Sequence, residues 1–213
     1  MHIPDGILDA KVWLPAAALS AAVLARSVKH TTAQLEHRAV PVMGVMAAFI
    51  FAAQMINFPI LGAAASGHLM GGALAAILFG FWPATLIMTT VVMIQALLFQ
   101  DGGITALGVN LLNMAILSPA IAAMTHHLLQ RVKLNRSVSA FAAGWTSVVV
   151  VSVAAAAQLA LSGAASFAHA ASALLFWHSF IGVGEGLITA VVLPFALRSF
   201  SHIPHKETLT YES

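Results

Sequence analysis

The chain contains no cysteine and very little charge. Without cysteine it has neither a disulfide framework nor a thiolate metal site, so any bound metal would need nitrogen and oxygen ligands. Charged residues make up 8% of the 213 residues, against about 25% in a soluble domain, and 60% are hydrophobic. Such a chain cannot cover itself with a charged surface, so its composition predicts an integral membrane protein. The net charge of +2 does not indicate a nucleic-acid partner, because basic residues in a membrane protein report its topology.

Apolar runs separated by turn signals predict an all-α bundle of about seven transmembrane helices. They lie at about 12–29, 39–57, 68–81, 84–99, 106–129, 138–162 and 173–198. A full span needs about 20 apolar residues, so the third and fourth segments, separated by Trp82-Pro83, are short. We therefore expect at least one of them to begin below the bilayer surface. The chain is predicted to form one membrane domain over 1–200 and a short cytoplasmic tail over 201–213.

Basic residues predict the orientation of the bundle. Eight of the nine follow the first, fifth or seventh helix: Arg26, Lys29, Arg38, Arg131, Lys133, Arg136, Arg198 and Lys206. The positive-inside rule then places the amino terminus outside and the carboxyl terminus in the cytoplasm, as expected for a multi-pass protein of the cytoplasmic (inner) membrane. The first helix is expected to be retained rather than cleaved as a signal peptide, because Asp5 and Asp9 precede it and basic residues follow it. The segments 1–11, 62–68 and 100–103 would share the outer face.

The first two residues, Met1-His2, are a candidate metal chelate. The α-amine, the backbone nitrogen of His2 if deprotonated, and the His2 imidazole can close two fused rings around one divalent ion. A planar, nitrogen-rich arrangement favours Ni(II) or Cu(II) over the tetrahedral Zn(II). We expect Met1 to survive processing, because His2 is a large residue. The ordinary alternative is a frayed, exposed terminus.

His68 is the candidate for the fourth ligand. It lies in Ser66-Gly67-His68-Leu69-Met70-Gly71-Gly72, where it is expected to open the third helix on the outer face. A buried histidine that only forms hydrogen bonds is the alternative. Ionisable groups inside a membrane are expensive and tend to mark functional pathways, which favours a ligand role beside His2.

Polar residues near the predicted outer helix ends could support such a site; they are Gln54, Asn57, Ser66, Asp101, Asn110 and Asn113. A ligating imidazole usually donates its other N–H to a carboxylate or carbonyl, and Asp5 or Asp101 could accept that bond or attract cations. Ordinary loop capping is the alternative, above all for the turn signal Asp101-Gly102. Asp5, Asn57, Ser66 and Asp101 are the residues we select as supporting candidates.

Two ionisable residues of the last helix, His178 and Glu185, are seven residues apart and so lie on nearly the same helix face. They could form a proton or ion site, or a structural hydrogen bond between helices. The sequence has no glycine-rich phosphate loop ending in Gly-Lys-Ser/Thr, no H-E-x-x-H helix and no G-x-S-x-G elbow. The best-known signatures of ATPases and hydrolases are therefore missing.

Several motifs together resemble one family. The chain begins Met-His-Ile-Pro-Asp-Gly, continues with Asn57-Phe58-Pro59 and Ser66-Gly67-His68-Leu69, and has Phe99-Gln100-Asp101-Gly102-Gly103-Ile104-Thr105-Ala106-Leu107-Gly108. It closely resembles the CbiM/NikM family, the substrate-specific components of energy-coupling-factor (ECF) transporters for cobalt and nickel. The resemblance runs from residue 1 to about 195 and includes His178 and Glu185-Gly186.

The resemblance implies seven membrane helices, with the amino terminus inserted into the bundle, and a square-planar site for the transported Co²⁺ or Ni²⁺. Its ligands would be the Met1 amine, the His2 amide nitrogen and imidazole, and His68. The implied partners are a transmembrane coupling subunit, a pair of ABC-type ATPases and often a small extra membrane protein, in addition to membrane lipid. The chain would then not be an enzyme itself. The choice between cobalt and nickel stays open.

Two other functions remain alternatives. One is a self-sufficient secondary permease, in which His178 and Glu185 would carry a proton or ion through the bilayer. The other is an intramembrane enzyme with a histidine-bound metal, which would need a coordination position open to substrate.

Overall fold

The computed structural model describes residues 1–35 and 39–199. Within these ranges the chain forms seven helices and one two-stranded sheet: α1 (Ala10–Gln34), α2 (Ala39–Gln54), β1 (Phe58–Ile60), β2 (Ala65–Gly67), α3 (Gly72–Phe79), α4 (Phe81–Leu98), α5 (Leu107–Arg131), α6 (Arg136–Leu161) and α7 (Phe167–Ser199). The predicted all-α bundle is confirmed. Arg38, Lys206 and the predicted tail 201–213 lie outside the described residues.

Five helices, α1, α4, α5, α6 and α7, are long and apolar enough to cross a membrane. Helix α2 has 16 residues and α3 has eight. Eight residues rise only about 12 Å, against a hydrocarbon core of about 30 Å, so α3 is a half-helix. Gly80, with φ 83°, separates α3 from α4. The break therefore precedes Trp82-Pro83, and Pro83 fits inside the first turn of α4, where its missing N–H removes no helical hydrogen bond.

The short hairpin of β1 and β2 was not predicted. Its strands pair antiparallel, with Phe58 opposite Gly67 and Ile60 opposite Ala65. The hairpin lies between the predicted second and third helices, and the segments that flank it, 55–57 and 68–71, are the residues that the sequence analysis gave to those helices. Helix α2 consequently ends at Gln54 instead of 57, and α3 begins at Gly72 instead of 68.

Helices α6 and α7 form the most extensive helix pair of the bundle. Glycines allow this close approach, because a Cβ on Gly144 would lie only 3.0 Å from the Cα of Gly186. Gly186 follows Glu185 directly, so the tight contact also fixes the place of the Glu185 backbone.

The amino-terminal segment, the hairpin and the loop from α4 to α5 meet at one end of the bundle. The Ser66 N–H donates to the His2 carbonyl at 3.0 Å, and the Gly103 N–H donates to the Ile3 carbonyl at 3.0 Å. The three segments expected to share a face therefore do so. Which side of the membrane this end faces stays a prediction.

Candidate metal centre

The amino terminus is buried inside the bundle. Met1, His2 and Ile3 are 0%, 2% and 0% exposed. Backbone hydrogen bonds hold the segment on both sides, from Ser66 of the hairpin and from Gly103 of the loop between α4 and α5. The terminus is therefore an ordered part of the protein interior instead of a frayed end.

Asn110 of α5 holds the third residue in place. Its Oδ1 accepts the Ile3 N–H at 2.9 Å, and its Nδ2 donates to the Ile3 carbonyl at 3.0 Å. Asn110 is itself fully buried, so both bonds form away from water. The α-amine and the His2 side chain lie within two residues of this double contact, which limits how far they can move.

The Met1 α-amine nitrogen lies in direct contact with Nε2 of His68. On the other side of the same ring, Nδ1 lies 2.6 Å from the Leu69 carbonyl oxygen. A carbonyl only accepts, so Nδ1 carries the ring proton and Nε2 has a free lone pair directed at Met1. His68 belongs to the loop between β2 and α3 and does not open α3 as expected, but it still reaches the terminus because the hairpin folds over it.

His2 completes this group of nitrogens. Its ring stacks on His68, with the ring centroids 4.9 Å apart. Its backbone N–H donates to Ser66 Oγ at 2.8 Å. The ring nitrogens of His2 make no hydrogen bond with any residue in the described ranges. Nδ1 faces Gly102, where an added Cβ would approach it to 2.9 Å, and Nε2 lies 3.9 Å from Asp101 Oδ2.

Burial favours the uncharged form of all three basic groups. Desolvation lowers the pKa of the Met1 amine well below its usual value. It also lowers the pKa of His2 and of His68, and the neighbouring amine lowers both further. Metal ligands must be deprotonated to bind, so the fold removes part of the proton competition before a metal arrives.

The supporting candidates divide into two groups. Asp101 accepts a hydrogen bond from Asn57 Nδ2 at 2.8 Å and is the carboxylate nearest to His2 in the ion pairs of the described residues. Burial raises the pKa of Asp101, while the Met1 amine and Asn57 act in the opposite direction. Ser66 accepts from the His2 amide. Together they surround an open cavity of about 230 Å³ that has His2 in its wall.

Asp5 has a different role from the one considered in the sequence analysis. Its carboxylate accepts hydrogen bonds from the N–H groups of Ile104 and Thr105, at 3.0 and 2.7 Å. The Thr105 hydroxyl donates to it as well, and this bond is the main cause of a lowered Asp5 pKa. Asp5 therefore anchors the amino-terminal segment to the loop before α5.

Glu185 and His178 lie behind the His68 loop on α7, and both are buried. The Glu185 carboxylate accepts the N–H groups of Met70 and Gly71, at 2.9 and 2.8 Å. His178 Nδ1 bonds to the Leu174 carbonyl at 2.9 Å, and within the described residues its Nε2 has no hydrogen-bond partner. The sequence placed both residues on one face, and that face supports the loop that carries His68.

The sequence analysis missed Gln95 of α4. This residue is fully buried beside the His2 ring, and its side-chain amide has no partner of good hydrogen-bond geometry among the residues that the structure describes. A lone glutamine within the apolar run of a membrane helix was the available signal, because such residues usually have a polar task. The pairing of Asn110 with backbone, in contrast, leaves no mark in the sequence.

A metal at the candidate centre would need main-chain nitrogen among its ligands. In residues 1–35 and 39–199 no three His, Cys, Asp or Glu side chains cluster as a metal site would require. The donors brought together are the α-amine, the His2 amide, the His2 imidazole and Nε2 of His68. Four nitrogens of this kind are suited to a tetragonal ion such as Ni(II), and they include no thiolate or carboxylate.

Comparisons with known proteins show which family the chain is similar to. The model of the CbiM family, described as a cobalt uptake substrate-specific transmembrane region, matches residues 2–203. One relative is a protein of Archaeoglobus fulgidus whose name describes it as a fused nickel transport protein, NikMN. It is 41% identical over 199 residues, which are 92% of this chain and 65% of that protein. The chain thus spans about two thirds of the length of that relative.

A second relative and a solved structure give the same picture. The cobalt transport protein CbiM of Lachnoclostridium phytofermentans is 30% identical over 203 residues, which are 91% of this chain and 80% of that one. The crystal structure of a truncated transition metal transporter superposes with a TM-score of 0.88 at 31% identity. It covers 93% of this chain and 99% of its own.

Proposed function

The chain belongs to the CbiM family of cobalt and nickel transport proteins of the membrane, and we propose that it binds its ion through Met1, His2 and His68. The observation that carries the proposal is the contact between the Met1 amine and Nε2 of His68, with both groups buried. In the metal-free protein the amine can donate to the lone pair of Nε2. A divalent cation placed between them would bind the lone pairs of both nitrogens.

The proposed site is a planar set of four nitrogens. The amine and the His2 amide would form one chelate ring, and the His2 amide and Nδ1 would form the next. Nε2 of His68 would close the square. In this arrangement the remaining His2 nitrogen, Nε2, carries its proton towards Asp101, as ligating histidines commonly do towards a carboxylate.

Binding would release protons, mainly from the backbone. The His2 amide must lose the proton that it now donates to Ser66 Oγ, so the metal bond replaces that hydrogen bond. Ser66 lies in the wall of the open cavity beside His2, which gives the proton a way out. Affinity would therefore rise with pH through this amide even after the other ligands are neutral.

The transported ion is Co²⁺ or Ni²⁺. Four nitrogens in a plane suit Ni(II) best, but Co(II) can adopt the same geometry, and relatives named for each metal match this chain. The relatives therefore narrow the substrate to these two ions, and the ligand set does not choose between them.

We further propose that the chain works within an ECF complex. Its sequence carries no phosphate loop of the Gly-Lys-Ser/Thr type, so ATP would be hydrolysed by separate ABC-type ATPase subunits. A transmembrane coupling subunit, and a small extra membrane protein in some systems, would complete the assembly. The chain itself would bind and release the ion without catalysing a reaction.

Metal analysis and visible spectra of the purified protein, loaded separately with Co²⁺ and Ni²⁺, test the site. We expect one equivalent with a planar four-nitrogen spectrum. His68→Ala, or one residue added ahead of Met1, should abolish it, because each removes a ligand from the square. His169→Ala is the matched control, since His169 is exposed on α7. Stoichiometric binding that survives both changes would reject the proposed ligands.

The secondary permease is distinguished by uptake measurements. We expect vesicles that contain this chain alone to take up no Ni²⁺ or Co²⁺ against a gradient. Uptake by the chain alone that stops when the proton gradient is dissipated would favour the permease and reject the ECF assignment.

A further inference from the structure

We propose a second cation site, formed by Glu185 and Gln54, through which the ion leaves the nitrogen centre. This inference rests on the proposed function and extends it from binding to release. Both side chains line one small cavity directly behind the His68 loop, between α2 and α7. The cavity contains oxygen ligands where the first site contains nitrogen.

Glu185 brings a buried carboxylate that forms no salt bridge with any residue that the structure describes. It is 3% exposed, and no Lys, Arg or His of the described residues forms an ion pair with it. Its two hydrogen bonds, from the N–H groups of Met70 and Gly71, use one lone pair on each oxygen. A carboxylate inside a membrane protein is costly unless a cation or proton compensates it, so this oxygen pair takes up one or the other, and a divalent cation would displace the proton.

Gln54 supplies an independent indication. Its Nε2 donates to the Met70 carbonyl, which fixes the orientation of the amide because a carbonyl cannot donate. Its Oε1 is fully buried and has no hydrogen-bond partner within the described part of the chain. An unpaired buried amide oxygen is itself costly, and here it shares a cavity with the unneutralised carboxylate.

The cavity has the size and place of a transfer point. Its volume is about 20 Å³, enough for one water-sized particle. Glu185 accepts the N–H of Gly71, which comes three residues after His68. Three residues span at most about 10 Å, so the second cation site lies close to the nitrogen centre.

An apolar cavity continues the same path. It lies further along the contact of α2 with α7 and shares Phe49 and Leu74 with the small cavity. Helix α2 packs on α4, so a movement of α2 relative to α7 would open this seam without separating α6 from α7. The cation site thus lies at the start of a route that leads away from the amino-terminal segment.

Chemistry favours a one-way transfer. Co²⁺ and Ni²⁺ bind nitrogen ligands more strongly than a carboxylate and an amide oxygen. The oxygen site is therefore weaker than the nitrogen site and can pass the ion on once the first site has been disturbed. A strong second site would hold the ion and prevent release.

Mn²⁺ is the probe for the test, because it prefers oxygen ligands and is detected by electron paramagnetic resonance. It is titrated into the full-length protein carrying His68→Ala, and in parallel into protein with one residue added before Met1. The matched pair of variants is Gln54→Leu and Gln54→Glu. Both lose the N–H that bonds to Met70, but only Gln54→Glu keeps an oxygen and adds charge.

We expect one Mn²⁺ per chain, bound at least tenfold more tightly in Gln54→Glu and at least tenfold more weakly in Gln54→Leu. Glu185→Gln should abolish this binding. If both Gln54 variants weaken binding equally, or if no Mn²⁺ binds, Gln54 is only a structural donor and the second site is rejected. A separate measurement tests the nitrogen site. If Ni²⁺ still binds to the His68→Ala protein and to the protein with one residue added before Met1, the proposed nitrogen ligands are wrong.

Discussion

The side chain of Asn110 pairs with the backbone of Ile3 in both directions, accepting its N–H at 2.9 Å and donating to its carbonyl at 3.0 Å. An amide side chain is one of the few groups that can satisfy a peptide unit in this way. Through this contact α5 fixes the position of a segment more than a hundred residues earlier in the chain. The position of Met1 and His2 in the candidate metal centre therefore depends on a residue that would not touch the proposed metal.

Asn110→Ala should lower Ni²⁺ affinity by about 10- to 100-fold, because it leaves the buried Ile3 N–H without its acceptor at a cost of about 1–3 kcal/mol, while the Ile3 carbonyl keeps only the bond from Gly103. Asn113→Ala is the matched control. Asn113 is also buried on α5 and also forms a two-way amide pair, but with Gln158 of α6. Calorimetric titration should find its affinity within about threefold of wild type, although both variants lower the Tm. Equal losses of affinity would mean that Asn110 acts only through general stability.

Gly102→Ala should impair metal binding through a direct clash. A Cβ at this position would lie 2.9 Å from His2 Nδ1, one of the proposed ligands, and the φ of +99° adds backbone strain. Gly62→Ala is the control, since Gly62 also has a positive φ but has no atom within 4 Å of the added Cβ. We expect Ni²⁺ affinity to fall in the first variant alone. Normal affinity in Gly102→Ala would show that His2 Nδ1 is not a ligand.

Acid should destabilise the metal-free protein. In the folded state burial lowers the pKa of the Met1 amine, His2 and His68, so the unfolded chain takes up protons first, near pH 8 for the amine and near pH 6.5 for the histidines. The free energy of unfolding is therefore highest above about pH 8. It falls as the pH decreases, by up to about 1.4 kcal/mol per pH unit for each group.

Thermal unfolding in detergent between pH 8 and pH 5 measures this effect. His68→Ala removes one of the three groups and should flatten the dependence, whereas His169→Ala should leave it unchanged because His169 is exposed. A Tm that rises on acidification would contradict the proposed neutral state of the site.

Asp101→Asn should slow Ni²⁺ association more than it weakens equilibrium binding. Asp101 lies in the wall of the open cavity beside His2, where a negative charge attracts an incoming cation. Stopped-flow measurements should give an association rate reduced roughly three- to tenfold, with less dependence on salt. Asp9→Asn is the control, because Asp9 is an exposed carboxylate at the start of α1. It tests whether any negative charge at this end of the bundle speeds association equally. A rate that falls equally in both variants would point to net charge alone.

Hydropathy and charge predicted most of the fold. Long apolar runs have few alternatives in a membrane, so the number of helices and the meeting of three segments at one end could be read from the sequence. The hairpin could not, because Phe58-Pro59-Ile60 and Ala65-Ser66-Gly67 are too short to show strand periodicity. For the same reason, the sequence analysis placed His68 at the start of a helix, whereas the structure has it in the loop after β2.

The candidate site could be predicted only in part. Met1, His2 and His68 carry chemistry in their side chains or at the terminus, and the structure brings all three together. Supporting contacts depend on three-dimensional placement instead. Asp5 bonds to the backbone of Ile104 and Thr105 and Glu185 to that of Met70 and Gly71; main-chain partners have no sequence signature.

The buried amino terminus sets an order for the assembly of the protein. Met1, His2 and Ile3 leave the ribosome before their partners Ser66, His68, Gly103 and Asn110, which come 64 or more residues later. Residues 1–3 must therefore wait until the five helices from α1 to α5 have begun to enter the membrane before they can take their final place. Anything that holds the terminus during that interval, such as a fused domain or a modified amine, would yield an inserted protein in which the Met1 amine and His68 never meet.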